Sequence, residues 1–138
     1  MLTSTDTRPP VQAGSPWRVL AILSLAIVLS MTTWFSATAI VGELKAVWSL
    51  TDDSATWLTN AVQIGFVAGA LGASFVNLPD LVAARTLMAT SAAIAAGANL
   101  LLLAAPSAEA AIALRFLTGV ALAGIYPPAL KLISTWFI

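Results

Sequence analysis

Long uncharged stretches alternate with short polar ones along the chain, and that alternation sets its organisation before any single residue is considered. No charged residue occurs between Arg18 and Glu43. A helix of roughly 24 residues at about 1.5 Å each exceeds the roughly 30 Å hydrocarbon thickness of a bilayer, so this stretch predicts a first membrane span. The chain is uncharged again from Ser54 to Pro79, opening at Thr51-Asp52-Asp53-Ser54, whose hydroxyls and carboxylates suit the first turn of a helix. Thr86 to Ala105 is a third apolar run, ended by Pro106, and Ser107-Ala108-Glu109 reads as the cap of a fourth helix that extends past Lys131 with Arg115 inside it. The expected helices occupy 18–43, 54–78, 84–105 and 109–135.

Short connections make successive helices antiparallel neighbours, so the expected fold class is an all-α integral membrane bundle. A soluble four-helix bundle would need polar outward faces at a 3.6-residue period, and Val19 to Leu29 offers only Ser24. A cleaved signal peptide would suit Ala37-Thr38-Ala39, but the apolar stretch is too long for one and three more follow.

Composition sharpens this picture. Of 138 residues, 59% are apolar and only 9% charged, a balance that water does not solvate comfortably. With no cysteine and no histidine, disulfides, thiolate chemistry and the usual zinc ligands are excluded, and no metal or cofactor is expected. Net charge is zero and the six basic residues are scattered, which argues against a nucleic-acid partner. An intramembrane enzyme would have to use Lys131, Asp80 or Glu109 as base, all near span ends, and no nucleophile faces them at a recognisable spacing. The chain is therefore not expected to be an enzyme.

Basic residues set the orientation, because cytoplasmic loops collect them. Arg8, Arg18, Arg85 and Lys131 fall on one side, opposite Glu43, Lys45, Asp52, Asp53 and Glu109, which predicts a cytoplasmic amino terminus. Met1 to Pro16 mixes Thr, Ser, Gly and Pro and is expected to be a disordered cytoplasmic tail, with 17–138 forming the transmembrane domain.

Arg115 is the leading candidate for function. It lies about 9 Å along its helix from the outer end, and intramembrane arginines face a bundle interior or a wet cavity unless they snorkel to the interface. Arg115, Thr118, Gly119, Leu122 and Tyr126 recur at steps of three or four and share one face, which reads as a substrate or proton pathway. The pair Pro127-Pro128 should kink that helix. Asn60 and Gln63 could line a pathway or bond a neighbouring helix. Gly65, Gly69 and Gly72 form a ridge suited to close helix packing, and Gly119 and Gly124 are the corresponding small positions of the fourth span. Trp34 sits mid-span among Ser30, Thr32, Thr33 and Ser36, as a candidate cavity wall or an ordinary packing residue, whereas Trp17, Trp48, Trp57 and Trp136 read as interfacial anchors.

Two of these segments resemble the major facilitator superfamily. The loop from Asn77 to Arg85 resembles its signature Gly-x-x-x-Asp-Arg-x-Gly-Arg-Arg, with Asp80 at the aspartate and Arg85 at the last basic place, while Val76, Leu81, Ala83 and Ala84 depart from it. Arg115-Phe116-Leu117-Thr118-Gly119 resembles the family's Arg-x-x-x-Gly helix motif, and Trp34 to Ala39 and Trp57 to Gly72 are similar to a bacterial branch. The resemblance implies a multi-pass carrier of the inner membrane that moves a small solute by alternating access, with Arg115 favouring an anionic one. It also implies that Asp80 and Arg85 belong to a cytoplasmic gate relay, here differently wired. Such carriers use two six-helix halves built from three-helix repeats, so about four of twelve helices are represented, the remaining helices are expected partners, and the chain is expected to be an amino-terminal portion that does not transport alone. Two other classes stay open at this point. A dimeric four-helix exporter would need a membrane-embedded carboxylate, which the first span lacks, and a non-catalytic subunit would only pack through the Gly65-Gly69 ridge.

Overall fold

The computed structural model describes residues 15–136, and every regular element among them is a helix: α1 (Pro16–Ala39), α2 (Val41–Trp48), α3 (Asp52–Phe75), α4 (Leu78–Leu81), α5 (Ala84–Leu102), α6 (Ala108–Leu122) and α7 (Tyr126–Trp136). Four stretches are long and apolar enough to cross a membrane, namely Pro16–Ala39, Asp52–Phe75, Ala84–Leu102 and Ala108–Thr135. The expected tail lies outside the described residues except for Ser15, which flanks α1, and Pro16, which starts it. A proline is tolerated there because the first turn has no use for its missing N–H.

Helix boundaries depart from the sequence expectation by a few residues, with α5 ending at Leu102 rather than 105, and three departures have a visible local cause. The first span ends at Ala39 rather than 43, and Ile40, at φ −115° and ψ 14°, turns the chain into the separate helix α2. Just before that break, Ser30 and Thr33 donate to carbonyls four and three residues back, an arrangement that bends helices. Asn77 adopts the left-handed region at φ 52° and cuts the second span short at Phe75. The fourth span is two helices. Pro127 and Pro128 cannot donate to Ala123 and Gly124, and the preceding N–H groups of Gly124 and Ile125 turn to carbonyls three residues back, at 2.9 and 3.0 Å. The regular ladder resumes with the N–H of Ala129 on Ile125. Caps were more legible: Thr51 accepts from the Ser54 N–H at 3.2 Å and Ser107 from the Ala110 N–H at 3.4 Å.

The centre of the bundle is α6, which lies chiefly against α3 and next against α5. Glycines make this approach possible. A Cβ built on Gly119 would stand 2.0 Å from the Val62 carbonyl oxygen, one on Gly65 2.1 Å from that of Phe116, and one on Gly69 2.7 Å from that of Val120. Gly124 similarly admits Ser91 of α5, whose hydroxyl oxygen would be 2.1 Å from an added Cβ. Gly72 has nothing within 4 Å and is not part of the packed ridge. Val62, Ala95, Ala121, Leu122 and Ile125 form the core, flanked by Trp34, Phe66 and Met88. The outer surface is itself apolar, with Ile22, Leu25, Val28, Leu29, Val67, Leu71, Leu100 and Leu101 all exposed. A soluble protein rarely carries so continuous a patch, so this surface suits lipid.

Gly119→Leu is expected to force α3 and α6 apart. The overpacking should cost about 1–3 kcal/mol, seen as a lowered midpoint when the detergent-solubilised chain is heated and followed by circular dichroism. Gly72→Ala, made into open space, is expected to be neutral or to stabilise by up to about 1 kcal/mol through helix propensity.

Candidate functional site

Helix α6 carries Arg115 seven residues past its first, Ala108, hence about 10 Å into the bundle. The side chain is fully buried. It does not snorkel, because α1 and α3 close over it and supply acceptors. Nη1 donates to the Thr33 carbonyl at 2.8 Å and the Ser36 hydroxyl at 3.2 Å, Nη2 donates to the Trp34 carbonyl, and Nε reaches the Leu58 carbonyl at 3.5 Å. Of the five N–H donors of a guanidinium, one on Nη2 is left over.

The electrostatics of this cradle are unusual. The two ion pairs among the described residues, Lys45 with Asp52 and Lys131 with Asp80, lie at the ends of the bundle, so no carboxylate neutralises Arg115. Thr33 and Trp34 instead turn the carbonyls of the penultimate turn of α1 toward the guanidinium, each a peptide dipole with its oxygen facing the charge. Peptide dipoles hold the cation, and a net positive charge remains inside the bundle.

The cradle continues sideways. Ser36, which accepts from Arg115, can donate to the Asn99 side-chain oxygen of α5 at 2.8 Å, and Asn99 Nδ2 donates to the Ala95 carbonyl at 3.3 Å. A polar line thus crosses α6, α1 and α5. Sequence reasoning did not single out Asn99. The available signal was its being the one amide side chain in the run from Thr86 to Ala105.

The other candidates are placed as follows. Thr118 is buried but donates to the Leu114 carbonyl of its own helix at 2.9 Å. Trp34 and Tyr126 are joined through Phe66 of α3, at ring-centroid distances of 5.4 and 5.9 Å with edge-to-face geometry, and the Tyr126 hydroxyl is buried without a hydrogen-bond partner among the described residues. Asn60 and Gln63 do not converge on this site. Leu58, Ala61, Val62 and Gly65 form the buried face of α3, which leaves both amides exposed. Asp80 and Arg85 do not pair with each other. Asp80 accepts from Lys131 at 2.9 Å, tying α4 to α7, while Arg85 lies at the start of α5 with no hydrogen-bond or ion-pair partner among the described residues. No group of three His, Cys, Asp or Glu side chains among the described residues is placed to hold a metal.

A groove of about 750 Å³ runs beside the site between α1 and α5, with Leu122 and Ile125 at its floor. Ser30 and Thr33 line it and Arg115 does not. Arg115 therefore faces the helix junction, with Thr33 between it and the groove.

Lys131 holds the Asp80 carboxyl below its ordinary value of 3.8, first through the hydrogen bond and then through its charge, with Asn77 adding to the effect. A depressed carboxylate stabilises the fold fully above 3.8 and loses that contribution as pH falls through its lowered value. Carbon-detected titration of the Asp80 carboxyl should give a midpoint below 3.8, and Lys131→Met should move it back toward 3.8.

Comparison of the chain with family models, with curated proteins and with solved structures finds no match to any of them.

Proposed function

We propose that the chain forms part of a secondary solute carrier of the major facilitator kind, which moves a small anionic or carboxylate-bearing solute by alternating access across an inner membrane, amino terminus in the cytoplasm. The observation that carries this reading is Arg115, a fully buried cation ringed by carbonyls and one hydroxyl, with no carboxylate beside it among the described residues and one N–H to spare. A charge so placed is expensive in a membrane interior, and function is the ordinary reason for keeping it. The groove between α1 and α5 supports the presence of further material against this face. Alternating access also needs a joint, and the interruption at Ala123–Ile125 supplies one within the fourth span.

The dimeric exporter is less well supported, since Asp52, Asp80 and Glu109 all stand at the ends of the spans, where no embedded proton carrier can be built from them.

In proteoliposomes of the intact carrier, Arg115→Gln should lower uptake of an organic anion about tenfold or more, the loss of one to two charge-assisted hydrogen bonds. Arg115→Lys, which keeps the charge but not the planar fork, should fall between. Unchanged uptake in Arg115→Gln of every transported solute would remove the guanidinium from the mechanism.

A further inference from the structure

We propose that Asn99 is a positioning residue for Arg115, acting through the Ser36 hydroxyl to fix the guanidinium's seat while leaving its charge uncancelled. On the carrier reading, from which the anionic solute is taken, this makes Asn99 a determinant of selectivity. Proton counting argues first. A guanidinium only donates, so the Ser36 oxygen must accept from Nη1, at 3.2 Å, and its single hydroxyl proton must go elsewhere. Two oxygens are within reach, the Thr33 carbonyl at 3.0 Å and Asn99 Oδ1 at 2.8 Å. The Thr33 carbonyl already takes a hydrogen of Nη1 at 2.8 Å. Asn99 Oδ1 accepts from no other group among the described residues, and Nδ2 is turned away to the Ala95 carbonyl at 3.3 Å, which fixes the end of the amide that meets Ser36. With Asn99 in place the hydroxyl points to α5, and each Nη1 hydrogen has its own acceptor oxygen. Without it, the hydroxyl turns to Thr33 and competes with Nη1 for one carbonyl.

Charge argues second. The amide oxygen accepts a hydrogen bond as a carboxylate of the same shape would, but carries no net charge. It stands no more than about 6 Å from Nη1, two hydrogen bonds away, a distance at which an opposite charge would offset the cation. Helix α5 carries no acidic residue from Ala84 to Leu102, so Asn99 orders the seat and leaves the whole positive charge for a solute.

Two measurements test this role. In the full chain in detergent micelles, nitrogen-15 NMR of the arginine side chains follows hydrogen exchange at Arg115 Nη1, assigned by its loss in Arg115→Lys. Asn99→Leu should speed that exchange about three- to tenfold, as expected for one weakened hydrogen bond, while the backbone amides of α6 keep their rates. Asn99→Asp keeps the acceptor and should leave the exchange slow. Ser36→Ala combined with Asn99→Leu should exchange no faster than Ser36→Ala alone, because the two residues act in series. In proteoliposomes of the intact carrier, Asn99→Asp should raise the KM for an organic anion about tenfold or more with the maximal rate little changed, and Asn99→Leu should raise it less. Unchanged Nη1 exchange in Asn99→Leu, or additive effects in the double variant, would overturn the proposal whatever is transported. So would faster exchange throughout α6, which would mean lost packing alone. An Asn99→Asp carrier with the wild-type KM would overturn the role in selectivity. A wild-type carrier that moves no organic anion, with the exchange pattern as expected, would instead overturn the carrier reading and leave Asn99 as the residue that seats Arg115.

Discussion

A guanidinium that cannot reach water must find acceptors, and in this bundle it takes them from the backbone of two other spans. Hydrogen bonds from Arg115 bind α6 to α1 at Thr33, Trp34 and Ser36, and to α3 at Leu58. In lipid, where apolar surface gains little by moving from one hydrocarbon neighbour to another, such polar ties decide how helices sit more than they would in water. Much of α1 is exposed and meets its neighbours sparsely, so this tie is the main specific reason for its position.

The remaining architecture follows from bringing those acceptors close. Glycines at 65, 69 and 119 let α3 and α6 meet backbone to backbone, which sets the Leu58 carbonyl within reach of Nε. On the other side, carbonyls of α1 that would serve only the helix ladder also accept from Arg115, and the helix breaks six residues beyond Trp34. Insertion of a side chain into a carbonyl ladder is a known cause of such bends. Ser36 and Asn99 then extend the same polar line to α5, so the three remaining spans are each linked to the one that carries the charge.

The spans themselves were legible, because length and the absence of charge are properties of contiguous sequence. Thr51 and Ser107 likewise announced helix starts through local chemistry. Relations between segments were not legible. Periodicity placed Asn60 and Gln63 on one side of α3 but could not say that Val62 and Gly65 would own the buried face. The loop resemblance drew attention to Asp80 and Arg85 together, whereas the partner of Asp80 is 51 residues further along the chain. Sequence left Arg115 between the bundle interior and the membrane interface and gave no sign of its acceptors, since backbone carbonyls have no signature in sequence.

The interruption between α6 and α7 divides one membrane crossing into two rods with unequal attachments. Helix α6 is clamped through glycine contacts and the Arg115 hydrogen bonds, whereas α7 is tied from its middle to α4 by an exposed Lys131–Asp80 pair, which salt and water weaken. Tyr126, the first residue of α7, meets Phe66 and through it Trp34, whose carbonyl holds Arg115, so a swing of α7 is geared to the cation's seat by three rings.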